Sequence, residues 1–202
     1  MKPFRSLAVA LLAIAAVPAL AQEAPDVLVK RVSQDTIAII KSDPQVQAGD
    51  QQRIREVVET KLLPYFDFER ITALAMGRNW RQATPEQQKQ LTEQFRQLLV
   101  RTYSGALAQY RDQTMDYKPL RADAGATDVT VRTEVVRSGQ APVQIDYAMA
   151  KEDSGWKVYD VIVAGVSLVT NYRDEFNAQI KGGGVDGLLK TLQAKNQGTP
   201  AK

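Results

Sequence analysis

The chain has 202 residues, 44% of them hydrophobic and 24% charged, proportions of a globular protein and not of a disordered tail or a multispan membrane protein. It contains neither histidine nor cysteine, which excludes disulfide staples, Ser-His and Cys-His nucleophiles and most transition-metal sites. Its formal net charge is only +3, too little for bulk electrostatic binding to nucleic acid.

The chain opens with the pattern of an export signal. Lys2 and Arg5 precede an almost unbroken apolar run from Leu7 to Val17, and Ala19-Leu20-Ala21 is a small-x-small cleavage site before Gln22. Residues 1–21 therefore read as a secretory signal cleaved after Ala21. Without them, 24 basic residues face 23 acidic ones. With no cysteine to carry a lipid anchor and no later apolar run of about 20 residues, a free, soluble exported product is expected.

A helical half follows. Asp26 is placed to cap a helix reaching about Lys41, with Leu28, Val32, Ile39 and Ile40 at helical spacing, and Ser42-Asp43-Pro44 ends it. A second helix after Asp50 shows Ile54, Val57, Val58 and Leu62 on one face until Pro64 breaks the pattern, with Tyr65, Phe66 and Phe68 clustered around the break. Asp67 is placed to cap a short helix that Gly77 terminates. The next helix has the clearest start: Thr84 as N-cap, Pro85 at the first helical position and Gln87 closing a capping box. Its stripe runs through Leu91, Phe95, Leu98, Tyr103, Leu107 and Tyr110.

The period then changes from 3.6 to 2. Val129, Val131, Thr133 and Val135 alternate with polar residues, as do Val143, Ile145, Tyr147 and Met149, and a third strand begins at Trp156. Turns at Ser138-Gly139-Gln140 and Glu152-Asp153-Ser154-Gly155 make this an antiparallel meander, to which Met115 to Leu120 adds a less marked strand. Val169, Tyr172, Phe176 and Ile180 return to helical spacing, and Leu188, Leu189 and Leu192 suggest a short last helix. The reading is one α+β domain over residues 22–195, helices packed over a sheet, with 196–202 as a loose tail.

Several features admit two readings. Gly182-Gly183-Gly184-Val185-Asp186-Gly187 matches G-x-G-x-x-G, but it follows a helical pattern and not a strand, so a flexible link between helices explains it better than a dinucleotide site. Asp160 with Tyr147, Tyr159 or Tyr103 suits isomerase-type carboxylate chemistry on a small apolar substrate, or else Asp160 is a hydrogen-bonded structural residue. Arg78 and Arg81 beside Trp80 suit a phosphate or a partner's carboxylates, or else form a plain exposed loop. The apolar helix stripe and strand faces suffice for a filled core or for a lined pocket, and a chaperone-like binding module is a third possibility.

Leu63-Pro64-Tyr65-Phe66-Asp67-Phe68, Gly77-Arg78-Asn79-Trp80-Arg81, Thr84-Pro85-Glu86-Gln87, Trp156-Lys157-Val158-Tyr159-Asp160-Val161, Gly165-Val166-Ser167-Leu168 and Tyr172-Arg173 together resemble the MlaC family in order and spacing. These are the periplasmic phospholipid-binding proteins also known as toluene-tolerance auxiliary proteins. The resemblance covers nearly all of the chain after the signal. It implies a fold like nuclear transport factor 2, with helices over a curved antiparallel sheet, and no catalytic activity. It also implies phospholipid as cargo, with no metal or other cofactor. The implied partners are an inner-membrane ABC transporter complex with its substrate-binding MlaD-like subunit, and an outer-membrane MlaA-like lipoprotein with its porin. A monomer without nucleic-acid contacts is expected. The lipid-lining residues expected from the helix and strand faces are Tyr103, Leu107, Val131, Val135, Ile145, Tyr147 and Met149. The residues expected at the head group or a partner are Arg78, Trp80, Arg81 and Arg173. Which face of the Trp156 strand turns inward stays open, because Val161, Ile162 and Val163 are all apolar.

Overall fold

The computed structural model describes residues 22–198 apart from 109 and 111, so the expected export signal over 1–21 and residues 199–202 lie outside the described residues. Helix α1 is Pro25–Ser42, and Pro25 occupies its first turn, so Ala24 and not Asp26 is the N-cap. Asp26 sits one residue further in, where its charge still complements the helix dipole. Asp43 does not merely end α1. Its carboxylate accepts the N–H groups of Gln45 and Val46 at 2.9 and 3.2 Å and caps a single turn, α2, Pro44–Gln47. Asp50 does the same for α3, Gln51–Val57, accepting from Gln52 and Arg53 at 2.8 and 3.0 Å.

The helical stretch that ends at Pro64 changes character before it gets there. Val58–Leu62 is a π turn and Leu63–Tyr65 a 3₁₀ turn, since Pro64 lacks an N–H and disfavours the α conformation before it. Helix α4, Phe68–Met76, is capped by Asp67, which accepts the Arg70 N–H at 2.9 Å, and it stops at Gly77 with φ 54°. A 3₁₀ segment, Gly77–Gln82, leads into α5, Pro85–Ala108. The capping box is complete there: the Thr84 hydroxyl accepts the Gln87 N–H at 3.2 Å and the Gln87 side chain accepts the Thr84 N–H at 2.9 Å.

The sheet is an antiparallel meander of β1 (Thr114–Tyr117), β2 (Asp128–Val136), β3 (Val143–Glu152), β4 (Gly155–Val163) and β5 (Val166–Ser167), neighbours in space as in sequence. Helix α6, Leu168–Asn196, follows directly, with Ser167 as its N-cap. The glycine run does not separate two helices by a loop. The helix passes through Gly182 and Gly183 and breaks only at Gly184, with φ 65° and ψ −168°, a conformation glycine alone adopts readily. That kink returns Leu188, Leu189 and Leu192 to the core. The helix persists past Lys195, and the Asn196 amide donates to the Gln94 carbonyl at 2.8 Å.

The described residues form three core clusters, the smallest of which gathers Ile40, Val46, Ile54 and Val57 where α1, α2 and α3 meet. Another joins α4, α5 and α6, where the Phe95 ring meets Tyr172 and Phe176, each at 4.8 Å between centroids in edge-to-face geometry. The third joins α1 to the sheet through Leu28, Val29, Val129, Val131, Met149 and Trp156.

Register decides what the sheet presents. Val129 faces Met149, Val131 faces Tyr147 and Thr133 faces Ile145 between β2 and β3. Between β3 and β4, Tyr147 faces Val161, yet Ala148 faces Asp160 and Met149 faces Val158, which leaves Tyr159 as an extra residue in a bulge. A strand alternates its side chains with period 2, and one inserted residue reverses that parity. Trp156 and Val158 before the bulge and Val161 and Val163 after it consequently share one face. This answers the question the apolar run Val161-Ile162-Val163 left open.

Candidate lipid cavity

On that face, between the sheet and the helices, lies an apolar cavity of about 300 Å³. Its floor is Ile145 and Tyr147 of β3 with Val161 and Val163 of β4, and its roof is Phe95, Leu99 and Tyr103 of α5. The wall is supplied by the irregular segment: Val58, Leu62, Leu63 and Phe66 all line it, followed by Phe68 and Ile71 of α4. Leu168 and Val169 at the start of α6 close the remaining side. The volume stands at the small end of the range for ligand pockets, about 300–1,000 Å³.

No Lys or Arg lines the cavity, and its polar groups are engaged elsewhere. The Ser104 hydroxyl donates back to the Val100 carbonyl. Asp160 uses both carboxylate oxygens on the entrance to α6: one accepts the Ser167 hydroxyl at 2.5 Å, the other the Val169 N–H at 3.1 Å. Burial pushes the Tyr147 phenol up to about 12, with the Thr133 hydroxyl acting in the opposite direction. Burial likewise holds Tyr172 above the ordinary tyrosine range, reinforced by the Tyr103 hydroxyl beside it. Tyr159 is held up to about 12 by burial and by donating to Asp128 at 2.7 Å, while the Arg70 guanidinium lies 3.7 Å over its ring. An engaged Asp160 has a structural duty, reinforcing the N-cap of α6. The arrangement suits holding an apolar body, with Tyr103, 40% exposed, at the rim.

Of the residues expected to line a lipid site, Tyr103, Ile145 and Tyr147 meet here. Val131 and Met149 are 2% and 0% exposed and pack under α1, because that helix covers the β2 side of the same face. Val135 is partly buried, lies one row beyond Thr133 and does not reach the cavity. The Leu107 side chain lies outside the described residues. The π and 3₁₀ wall was not read from the sequence as lining. Its only signal was the aromatic cluster around Pro64, which fits a core as well as a cavity.

The second set also divides. Arg78 and Arg173 share a separate polar depression with Lys181. Trp80 packs against the helical core, its carbonyl accepting from Gln88 at 2.9 Å, and exposed Arg81 stands outside the depression. Among the described residues, no group of three or more acidic side chains is gathered as for a metal ion, and no helix is long and apolar enough to cross a membrane.

The model of the MlaC protein family matches residues 30–194. A binding protein of the intermembrane phospholipid transport system, MlaC of Haemophilus influenzae, is 24% identical over 178 residues, covering 87% of this chain and 83% of its own. The toluene tolerance protein ttg2D of Pseudomonas putida is 28% identical over 185 residues, covering 90% and 85%. A phospholipid-binding protein from Ralstonia solanacearum, solved in complex with a phospholipid, is 46% identical and superposes with a TM-score of 0.80 over 85% of this chain and 96% of that one. With the family model matching most of its length, and with the helix-over-sheet architecture shared by a solved relative, the chain belongs to the MlaC family.

Proposed function

We propose that this protein is a periplasmic phospholipid carrier: a single domain over residues 22–195, released by cleavage after Ala21, that encloses acyl chains in the cavity between α5 and the sheet. The observation that carries the reading is an apolar cavity whose polar lining groups are engaged within the protein, in a chain 46% identical to a protein solved with a phospholipid. Each buried CH₂ is worth about 0.8 kcal/mol, so two chains with roughly 30 methylenes would cost on the order of 24 kcal/mol to expose to water. Free lipid therefore does not cross an aqueous gap at a useful rate. A carrier has to cover the tails and leave the charged head at the mouth, where it stays solvated.

Transfer from one apolar environment to another makes and breaks no covalent bond, so the protein acts without catalysis and with phospholipid as cargo. The partners that fit this role are an inner-membrane ABC transporter with its MlaD-like subunit and an outer-membrane MlaA-like lipoprotein with porin. Shuttling between them would maintain lipid asymmetry of the outer membrane. The test is native mass spectrometry of protein purified without detergent. A co-purifying glycerophospholipid supports the carrier; protein that is lipid-free and takes up none from vesicles overturns it, and turnover of a ketosteroid would favour an enzyme.

A further inference from the structure

A second concave surface, with its own set of lining residues, lies between the end of α4 and α6. Gly77, Arg78 and Asn79 after α4 face Arg173, Asn177 and Lys181 of α6 across a depression of about 430 Å³. The Asn79 amide donates to the Asn177 side-chain oxygen at 2.9 Å and ties the two walls together. Arg173 Nε donates to the Leu74 carbonyl at 3.0 Å, which anchors its guanidinium while other N–H groups of the fork stay available. No acidic residue lines the depression, and neither Arg78 nor Lys181 has an ion-pair partner among the described residues.

Three cations from two elements thus converge with no acidic side chain among the described lining residues. The depression shares no lining residue with the cavity, although the two approach each other along α6. Arg173 lies one helical turn, about 6 Å along α6, from Val169, which lines the cavity, and Lys181 about 18 Å from it. The fully buried Ala75 and Met76, with Phe176 at 1% exposure, belong to the helical core. A planar membrane surface would not enter a concave pocket, whereas a projecting side chain would. A guanidinium fork matches a carboxylate in shape and charge, and exposed charges favour rapid encounter and release.

We propose that this depression is a docking site for an acidic segment of a partner protein. That the partner belongs to a transport route rests on the carrier reading; the charge chemistry of the pocket does not.

The test is a titration of the folded carrier, purified with its lipid, with a hexaglutamate peptide, followed by NMR at the Asn79 and Asn177 side-chain amides and the Arg78 backbone. Saturable shifts confined to residues 77–79 and 173–181 are expected. R78E with K181E should weaken them about tenfold, the equivalent of two exposed attractive pairs turned repulsive. The charge-conserving R78K with K181R should restore them, and raising salt from about 50 to about 300 mM should weaken them in the native protein. Absence of saturable shifts, or equal affinity in the reversed variant, overturns the proposal. So does inorganic phosphate competing at equal concentration, which would make this a small-anion site. Phosphatidylglycerol vesicles binding through Arg78 and Lys181 where the peptide does not would make it a membrane contact. Native mass spectrometry separates the two readings: phospholipid missing from the native protein would count against the carrier, while the peptide titration would still decide the pocket.

Discussion

Tyr147 and Val161 stand directly opposite each other on β3 and β4, and both side chains reach the cavity. They do so because Tyr159 bulges out of the ladder one step earlier. Deleting Tyr159 would turn Val158 and Trp156 to the outer face or throw Val161 and Val163 there. Either choice exposes two apolar side chains worth about 1.5–3 kcal/mol each, so a loss above ~3 kcal/mol in urea unfolding is expected. Y159F keeps the extra residue and should lose far less. An unchanged midpoint in the deletion would show that the bulge is dispensable.

The floor of the cavity offers a matched pair of substitutions. Ile145 lines the cavity and Val135 lies outside it, although the two residues belong to the same sheet. I145E should leave a folded protein without phospholipid, because a carboxylate facing acyl chains has no partner there. V135E should retain its lipid. Native mass spectrometry of both variants decides; equal lipid content would remove the sheet floor from the site.

Ligand that binds only the folded state stabilises it by mass action, about 4 kcal/mol at a thousand times Kd. For a domain of this size that corresponds to a rise in Tm on the order of 10 °C. Calorimetry on loaded and delipidated protein should show it. Coincident melting would mean that the cavity is unoccupied in the loaded sample.

Asp160 accepts from the Ser167 hydroxyl and the Val169 N–H and so reinforces the N-cap of α6. D160A should therefore cost about 1–2 kcal/mol of stability, as the loss of a helix cap does, and leave lipid retention intact. S167A should behave in the same direction. Lipid lost from a D160A protein with native melting would instead place the carboxylate in the binding site.

Tyr147 binds its proton more tightly in the folded state, where burial pushes the phenol up to about 12, above its ordinary range near 10. Below pH 10 both states are protonated and the group has no effect on stability with pH. As pH rises from about 10 through about 12, the unfolded chain releases the proton first and stability falls. Urea unfolding between pH 8 and 12 should show this decline, and Y147F should flatten part of it. Tyr159 declines over the same window, so a residual slope in Y147F is expected.

Local chemistry was legible without the fold. The capping box at Thr84 and Gln87, the helix start after Asp50, the cap at Asp67, the stop at Gly77 and the alternation of β2 and β3 each depend on residues within a few positions of one another. The π turn was not legible, since Val58 and Leu62 fit an ordinary helix face and only the approach to Pro64 distinguishes them. The basic depression was half legible. Arg78 and Arg173 carry a visible charge, but the pairing of Asn79 with Asn177 joins the 3₁₀ segment after α4 to α6 and has no sequence period. The two-residue strand β5 is too short to show alternation.

Composition and period by themselves determined that this is a helix-over-meander protein without thiol or imidazole chemistry, and motif order determined its family. What only the tertiary structure decided is where apolar surface is packed and where it is left open. Val131, Ile145, Tyr147 and Met149 are equivalent in the alternating pattern, yet α1 covers Val131 and Met149 while the irregular wall and α5 stand off from Ile145 and Tyr147. The side-chain alternation of a strand records which face is apolar. Whether another element reaches that face depends on helix position and on one bulged residue, which are set by contacts far apart in the chain.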